Sequence, residues 1–289
     1  MKILIIGSSG LIGRHLKHDF ESRGVDVWSS SRVKNSQNPK QLQLDLLNPR
    51  HFEVTEVERQ KFTHLFDCSG VESIKFCDDN PDTSRSLIVK GAKFLAEMCD
   101  NLGISMIYPS TSLVFDGSKN FCKPNEIKRP VCIYAELKSE AEEIVLGSGM
   151  KNSVIRFDKV LHPSTAILES WIFNLRRGEF VNAFYDRKLS PICVDAVCRC
   201  LNLFLKSNLM GLFQLSAISE ISYFEMALRL CQRRNQSPTL VNRVSSVDFG
   251  VRSRTYSCLD SSAIFNLDPT LRLTAEECVD SVVDRLISI

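Results

Sequence analysis

A glycine-rich turn near the start of the chain constrains the fold more than any other feature. The segment Gly7-Ser8-Ser9-Gly10-Leu11-Ile12-Gly13 spaces its glycines as GxxGxxG. The apolar run Ile3 to Ile6 precedes it, and an amphipathic helical pattern follows it as far as Gly24. A strand, a glycine turn and a helix in this order predict the first βα unit of an α/β protein.

Strand and helix patterns continue to alternate along the chain. Further strands are predicted at Val25 to Trp28, Leu42 to Leu44, Leu65 to Phe66, Ile104 to Tyr108 and Val154 to Arg156. Helices are predicted at Asp82 to Leu102, Ile133 to Leu146, Ile167 to Arg177, Phe224 to Arg234 and Glu276 to Ile289. Since strands joined by helical crossovers pair in parallel, the pattern predicts a Rossmann doubly wound parallel sheet.

The glycine turn is also the first candidate binding site. Gly7 permits the tight turn, Gly10 lets the backbone approach a pyrophosphate, and Gly13 lets the helix pack closely on the strand. Free amides and the dipole at the start of a helix favour anions. We therefore expect phosphate contacts from this set of residues: Gly7, Ser9, Gly10, Leu11, Ile12 and Gly13. The alternative is that the three glycines serve packing alone.

The end of the second predicted strand bears on which dinucleotide would bind. Rossmann proteins that prefer NAD usually place Asp or Glu here to bind the ribose hydroxyls. This chain has Ser29-Ser30-Ser31-Arg32 instead, and a guanidinium binds a 2′-phosphate through two charge-assisted hydrogen bonds. Ser31 and Arg32 therefore favour NADP as the cofactor, with NAD left open. The alternative is that Arg32 is a solvated residue at a strand end.

A tyrosine and a lysine open the helix that follows the fifth strand. Tyr134 and Lys138 are four residues apart and therefore lie on the same helical face. Tyr134 would exchange a proton with a carbonyl or hydroxyl oxygen, and the Lys138 ammonium would lower the pKa of the phenol toward neutrality. Lys138 would also hold the nicotinamide ribose. Thr111, in the tract Ser110-Thr111-Ser112, would hydrogen-bond the same substrate oxygen.

Composition argues against several kinds of partner. The 289-residue chain carries a formal net charge of +2, which is too small to indicate a nucleic-acid partner. Its apolar runs are a few residues long, far short of the roughly 20 needed to cross a membrane. Eleven irregularly spaced cysteines and five unclustered histidines predict reduced thiols in a cytoplasmic protein, without a metal site.

Together these motifs resemble the extended short-chain dehydrogenase/reductases, and within them the dTDP-4-dehydrorhamnose reductase-like sugar-nucleotide reductases. The family's STDYVFDG tract at strand five is similar to Ser110-Thr111-Ser112-Leu113-Val114-Phe115-Asp116-Gly117. Two more stretches match positions that line the cofactor in the family: Asp45-Leu46 near the adenine, and Cys68-Ser69-Gly70 after the fourth strand. The resemblance implies reduction of a nucleotide-linked 4-keto sugar by a homodimer.

The chain departs from the family pattern at several positions. Ser112 and the residue after it replace the family's Asp and Tyr, and Lys159 stands where a substrate-stacking Trp is expected. Asp67 and Lys90 each replace an Asn. We therefore expect Thr111, Ser112 and Lys159 to contact a different or modified substrate.

The resemblance extends over nearly the whole chain, and the pattern of strands and helices predicts a division into domains. Residues 1–153 would form an NAD(P)-binding Rossmann domain. Beyond the sixth strand the elements shorten, as at Gly211 to Leu215. Residues 154–289 would therefore form mainly a smaller mixed α/β substrate-binding domain, with some segments returning to the Rossmann sheet.

Three functions fit these observations. The first is an NADP-preferring oxidoreductase that reduces a nucleotide-linked keto sugar with a proton from Tyr134, or a related epimerase or dehydratase. The second is a regulatory subunit that holds NADP without turnover, because some relatives in the family have lost activity. The third is a reductase of small ketones or aldehydes. The presence of Thr111, Tyr134 and Lys138 favours an enzyme.

Overall fold

The computed structural model describes residues 1–33, 35, 37–71 and 73–287. Its strands are β1 (Lys2–Ile6), β2 (Asp26–Ser31), β3 (Gln41–Gln43), β4 (His64–Asp67), β5 (Ser105–Thr111), β6 (Ser153–Phe157), β7 (Val160–Leu161), β8 (Val181–Phe184), β9 (Lys188–Leu189), β10 (Ile192–Cys193), β11 (Gly211–Leu215), β12 (Ile221–Ser222) and β13 (Val241–Val244). Its helices are α1 (Leu11–Ser22), α2 (Val54–Gln60), α3 (Ile74–Asp79), α4 (Pro81–Arg85), α5 (Gly91–Leu102), α6 (Ile133–Ser148), α7 (Ala166–Arg176), α8 (Val194–Ser207), α9 (Tyr223–Arg233), α10 (Ser262–Leu267) and α11 (Ala275–Ile287).

A seven-stranded sheet carries most of the predicted site residues. Its strands lie in the order β11-β6-β5-β4-β1-β2-β3, and the neighbouring strands from β3 to β5 pair in parallel. The order reverses between β1 and β4, because the chain first extends the sheet through β2 and β3 and then returns to the other side of β1. Doubly wound folds bind ligands outside the carboxyl ends of the strands at this reversal. The predicted Rossmann-type α/β fold is confirmed.

Most predicted elements are present, with ends shifted by a few residues. The helix predicted at 82–102 is divided, because a π-helical turn at Ser86–Lys90 separates α4 from α5. Helix α8 was not predicted, and neither were α2, α3 and α10. Residues 288 and 289 of the last predicted helix lie outside the described residues. In the part of the chain that the structure describes, no helix has both the length and the apolar character needed to span a membrane.

The chain forms two compact units. The first comprises residues 1–114, 127–156 and 198–213, and the second comprises residues 115–126, 157–197 and 214–289. The glycine turn, the end of β5 and the start of α6 all belong to the first unit. The predicted functional division at residue 153 stays a prediction.

The first unit has its core on both faces of the sheet. The residues of β1 from Ile3 to Ile6 are at most 2% exposed, as expected for a parallel strand with both faces covered. On one face Phe20 of α1 packs against Phe66 of β4, with ring centroids 5.3 Å apart. Hydrophobic burial on two faces therefore fixes the strand ends that carry the candidate site.

A buried ion pair organises part of the second unit. The Nη1 of Arg254 donates to Oδ1 of Asp158 at 2.9 Å. The other carboxylate oxygen of Asp158 accepts from the Ser257 hydroxyl at 2.6 Å and from the Ser190 amide at 2.7 Å. Because both oxygens have partners, the cost of burying this charge is largely offset.

The glycine turn is held by close backbone contacts. Gly7 has φ of +72°, a left-handed conformation that other residues rarely adopt. A Cβ at Gly7 would lie 2.6 Å from the carbonyl oxygen of Cys68, and a Cβ at Gly13 would overlap the carbonyl oxygen of Gly7. Helix α1 therefore approaches the end of β1 more closely than a side chain at position 13 permits.

Replacing Gly13 with Ala should lower the free energy of unfolding by about 1–3 kcal/mol, because the added methyl group pushes α1 away from Gly7. Gly147→Ala is the matched control, since Gly147 lies in α6 and a Cβ there meets no atom within 4 Å. The control should be neutral or raise the free energy of unfolding by up to about 1 kcal/mol. Urea unfolding followed by circular dichroism measures both, and equal effects would contradict the close packing at Gly13.

Candidate functional site

The start of α1 is suited to bind an anion. Gly10 is the N-cap of α1, no side chain caps this helix, and its first turn contains no acidic residue. The first amides of a helix have no partner within the helix, and the helix dipole favours negative charge there. A Cβ at Gly10 would meet only the carbonyl oxygens of Gly7 and Cys68, at 3.4 and 3.8 Å. The residues of the turn therefore fit a dinucleotide phosphate.

The carboxyl ends of β2 and β3 hold the residues predicted for the adenosine end of the cofactor. Ser31 of β2 is half-buried, and the Arg32 side chain after it is exposed. Asp45 is half-buried, and its Oδ1 accepts the Leu47 amide at 3.0 Å. Leu46 is buried and packs against Gly91. Arg32 is thus accessible to a phosphate, while Asp45 and Leu46 shape the loop beside it.

A buried carboxylate ends β4. Asp67 is 2% exposed, and its Oδ1 accepts hydrogen bonds from the amide and the hydroxyl of Ser69. Burial raises the pKa of Asp67, and the Ser69 hydrogen bonds and the positive charge of Lys138 partly oppose this shift. Cys68 is half-buried and Gly70 is exposed. Burial also raises the pKa of the Cys68 thiol, which keeps it neutral.

Helix α6 begins beside the carboxyl end of β5 and carries the Tyr/Lys pair. Tyr134 is half-buried, and Lys138, one turn later, is 5% exposed. The Nζ of Lys138 donates to the Pro109 carbonyl oxygen at 2.7 Å and lies 3.8 Å from the ring centroid of Tyr108. A cation over an aromatic ring is stabilised by the ring's quadrupole. Lys138 is therefore held in place by β5.

The pKa values of this pair differ from the prediction. Burial raises the pKa of Tyr134 to about 12, so the predicted lowering toward neutrality by Lys138 is wrong for this arrangement. The physical reason is that the phenol loses solvent, while the Lys138 ammonium points at Pro109. Burial lowers the pKa of Lys138 to about 8, and the negative charges of Asp67 and Glu142 partly oppose this.

The predicted substrate residues have different surroundings. Thr111 is 9% exposed, and its hydroxyl oxygen accepts the Leu113 amide at 3.2 Å. Because that oxygen acts as an acceptor here, its proton remains to be donated elsewhere. Ser112 is 1% exposed. Lys159 is exposed and belongs to the second unit. The substrate roles of these three residues stay predictions.

A buried charge network that was not predicted joins α6 to β5 and β6. Glu142 is 1% exposed and accepts from Arg156 Nε at 2.9 Å and Arg156 Nη2 at 2.7 Å. The Ser110 hydroxyl donates to the same carboxylate at 2.6 Å, and Lys128 Nζ lies 3.6 Å from it. The network ties the helix that carries Tyr134 to the strand that carries Thr111.

Two signals in the sequence point to this network. Glu142 follows Lys138 by four residues, so it lies on the same face of α6 as the Tyr/Lys pair. Arg156 interrupts the apolar strand Ser153 to Phe157, and an arginine inside a buried strand needs a charged partner. The pairing of these two residues is a tertiary contact that neither signal specifies.

Together the fold and the site define a doubly wound α/β protein in which a glycine turn opens α1 without a side-chain cap and α6 carries a Tyr/Lys pair. The family model described as RmlD substrate binding domain matches residues 1–286, and the chain belongs to this family, as predicted. Among curated proteins, methionine adenosyltransferase 2 subunit beta of Bos taurus is 24% identical over 247 residues, which cover 81% of this chain and 72% of that protein.

Two solved structures share the fold over nearly their whole length. A dTDP-4-dehydrorhamnose reductase from Clostridium acetobutylicum has a TM-score of 0.86 at 19% identity, covering 99% of this chain and 100% of that one. The dTDP-4-dehydrorhamnose reductase of Bacillus anthracis, in complex with NADP, has a TM-score of 0.84 at 18% identity, covering 98% and 99%. At these identities the likeness establishes the fold.

Replacing Arg156 with Met should lower the free energy of unfolding by about 3–5 kcal/mol, because it leaves the buried Glu142 carboxylate without its strongest partner. The double variant Glu142→Leu with Arg156→Met should recover most of that loss. Arg85→Met is the control, because Arg85 pairs with Glu140 on the exposed side of the same helix at 2.7 Å, and exposed pairs contribute little. Urea unfolding measures all three, and a loss that persists in the double variant would contradict this account.

The Lys138 ammonium should titrate near pH 8, at least two units below an ordinary lysine. The unfolded chain then binds more protons than the folded chain between about pH 8 and 10.5, so the Lys138 contribution makes stability rise with pH in that window. NMR of 13Cε-labelled lysine measures the titration, and the resonance missing in Lys138→Met identifies it. A midpoint above 10 would show that Lys138 is not desolvated.

Proposed function

We propose that the protein is an NADP-preferring oxidoreductase that reduces the keto group of a nucleotide-linked sugar. The observation that carries the proposal is the grouping, within one compact unit, of the free start of α1, the Thr111 hydroxyl and the Tyr134/Lys138 pair. Family membership over residues 1–286 supports it. So do two similar structures named dTDP-4-dehydrorhamnose reductase, one of them in complex with NADP.

The cofactor would lie across the carboxyl ends of β2, β1 and β4. The turn from Gly7 to Gly13 would bind the pyrophosphate through backbone amides. Arg32, with Ser31, would bind the 2′-phosphate that distinguishes NADP from NAD. Asp45 and Leu46 would flank the adenine, and Cys68, Ser69 and Gly70 would line the groove after β4. NAD would bind the same groove without the Arg32 contact.

The reduction would use three side chains of the first unit. When bound, NADPH supplies the hydride to the keto carbon. Tyr134, whose pKa of about 12 keeps it protonated at neutral pH, would donate its proton to the keto oxygen. The Thr111 hydroxyl would donate a hydrogen bond to the same oxygen as negative charge develops there. Lys138, protonated below about pH 8, would stabilise the phenolate that remains and hold the ribose hydroxyls.

The predicted substrate contacts belong to the same proposal. Ser112 is buried. It would therefore affect substrate binding by holding the backbone of Thr111 in position. Lys159 would offer a positive charge to a nucleotide-sugar phosphate where the family places an aromatic ring. A nucleotide-linked sugar that differs from the family's 4-keto substrate fits this change. A homodimer in the cytoplasm is the assembly and compartment we propose.

A second function is a subunit that binds NADP without turnover. Two observations favour such a subunit over the third function, a reductase of small ketones or aldehydes. The Lys138 ammonium is hydrogen-bonded to Pro109, and the pKa of Tyr134 is raised rather than lowered. In addition, a curated relative that covers 81% of this chain is named as a subunit, methionine adenosyltransferase 2 subunit beta.

NADPH oxidation across a panel of dTDP- and UDP-linked 4-keto sugars, with small ketones and aldehydes alongside, should distinguish these functions. We expect turnover on a nucleotide-linked member, and a fall of about 10²- to 10⁴-fold in Tyr134→Phe because the general acid is lost. Nicotinamide fluorescence should show unchanged NADPH affinity in that variant. Tyr185→Phe, an exposed tyrosine of the second unit, is the control.

Each other outcome would overturn the proposal in a defined way. NADPH binding without turnover on any compound would support the subunit. Turnover on small ketones alone would replace the sugar substrate. Equal rates for wild type and Tyr134→Phe would remove Tyr134 as the proton donor.

A further inference from the structure

Asp67, the last residue of β4, is a buried charge without a role in the reaction proposed above. It is 2% exposed, and its Oδ1 accepts hydrogen bonds from the amide and the hydroxyl of Ser69. Within the described residues its Oδ2 accepts no hydrogen bond. Two neutral donors do not balance a buried carboxylate, which needs a cation close by.

The register of the sheet places Asp67 beside Tyr108. Strands β4 and β5 pair in parallel, with Phe66 opposite Ile107. One residue further along, Asp67 is therefore level with Tyr108. Side chains alternate between the two faces of a strand, so Asp67 shares a face with Leu65. Leu65 and Tyr108 belong to one hydrophobic cluster, on the face that α5 and α6 cover.

Lys138 of α6 reaches the same point. Its Nζ lies 3.8 Å from the ring centroid of Tyr108 and donates to the Pro109 carbonyl oxygen at 2.7 Å. Neighbouring strands are about 4.8 Å apart, so a carboxylate level with that ring is close to the ammonium. Lys138 lowers the pKa of Asp67. In return, Asp67 raises the pKa of Lys138 more than Glu142 does.

Glu142, the other carboxylate near Lys138, has strong partners of its own. It accepts from Arg156 Nε at 2.9 Å and from Arg156 Nη2 at 2.7 Å, and Lys128 Nζ lies 3.6 Å from it. These two positive charges offset the field of Glu142 at Lys138. The carboxylate of Asp67 is bonded only to neutral donors, so its charge acts on Lys138 without this compensation.

Other titratable groups on the strands and helices around the pair are neutral near pH 7. Burial raises the pKa of two thiols and two phenols there: Cys68, Cys99, Tyr108 and Tyr134. None of these four groups carries the negative charge that a buried ammonium needs. Asp67 is therefore the dedicated counter-ion of Lys138.

We propose that Asp67 is a positioning residue of the reductase, whose carboxylate keeps Lys138 charged and so extends the reduction to higher pH. The contact itself concerns the protein alone, and the effect on turnover rests on the proposed reductase function. A charged Lys138 stabilises the phenolate that remains once Tyr134 has donated its proton. A neutral Lys138 does not, so the rate falls as Lys138 loses its proton.

Asp67→Asn removes the charge and keeps both the shape and an acceptor for Ser69. NMR of 13Cε-labelled lysine should then show a Lys138 midpoint at least about one pH unit below that of the wild type, because the nearby opposite charge is gone. Asp67→Glu retains the charge and should retain the wild-type midpoint. Glu97→Gln removes an exposed negative charge from α5 and should leave the midpoint unchanged.

The rate of NADPH oxidation with the nucleotide-linked keto sugar separates this role from a structural one. With a midpoint one unit lower, Asp67→Asn should turn over about fivefold more slowly than the wild type at pH 8, and at nearly the same rate at pH 6. Loss of structure would lower the rate at both pH values. Tyr134, with a pKa of about 12, stays protonated throughout, so the difference reports the charge of Lys138.

Two results would overturn the proposal. An unchanged Lys138 midpoint in Asp67→Asn would show that Asp67 is not the counter-ion. A lowered midpoint with equal losses of turnover at pH 6 and pH 8 would show that the contact does not act on the reduction. Absence of turnover in the wild type would overturn the reductase function instead, and the NMR midpoints would still decide whether Asp67 holds the charge of Lys138.

Discussion

The contact between Gly13 and the carbonyl oxygen of Gly7 is the constraint on which the proposed site depends. It lets α1 start directly at the carboxyl end of β1, where a Cβ at position 13 would overlap the turn. The same contact presents the uncapped amides of α1 at the point where the strand order reverses. An anion bound there is stabilised by the helix dipole and by backbone donors, so no cationic side chain is required in the turn.

Helix α6 carries the proposed reactive groups in a fixed register. Tyr134, Lys138 and Glu142 recur every four residues and lie on one face. Glu142 anchors that face through Arg156 of β6 and Ser110 of β5, and Lys138 anchors it through Pro109. The position of Tyr134 relative to Thr111 is thereby set by buried hydrogen bonds, whose geometry is far less adaptable than apolar packing.

The local features of this molecule could be predicted from the sequence, and the features that depend on tertiary contacts could not. The glycine turn, the β1 and α1 elements and the Tyr/Lys spacing are encoded within short segments, and the structure contains each of these elements. Helix α8 was missed because its pattern begins directly after the short strand β10, without a turn signal between them. The raised pKa of Tyr134 was missed because desolvation depends on neighbours far away in the chain. The π-helical turn at Ser86–Lys90 has no sequence signature of the kind that marks a cap or a turn.

Titration of NADPH into the wild-type protein and Gly10→Asp tests the central claim most directly. Aspartate is a favourable N-cap, so the variant should fold with equal or greater stability. Its carboxylate would occupy the anion site at the start of α1, and like-charge repulsion costs several kcal/mol. We predict that Gly10→Asp binds NADPH at least ~100-fold more weakly, while Gly10→Asn, of similar shape without the charge, loses much less. Equal NADPH affinity in all three proteins would contradict the assignment of the glycine turn as the phosphate site.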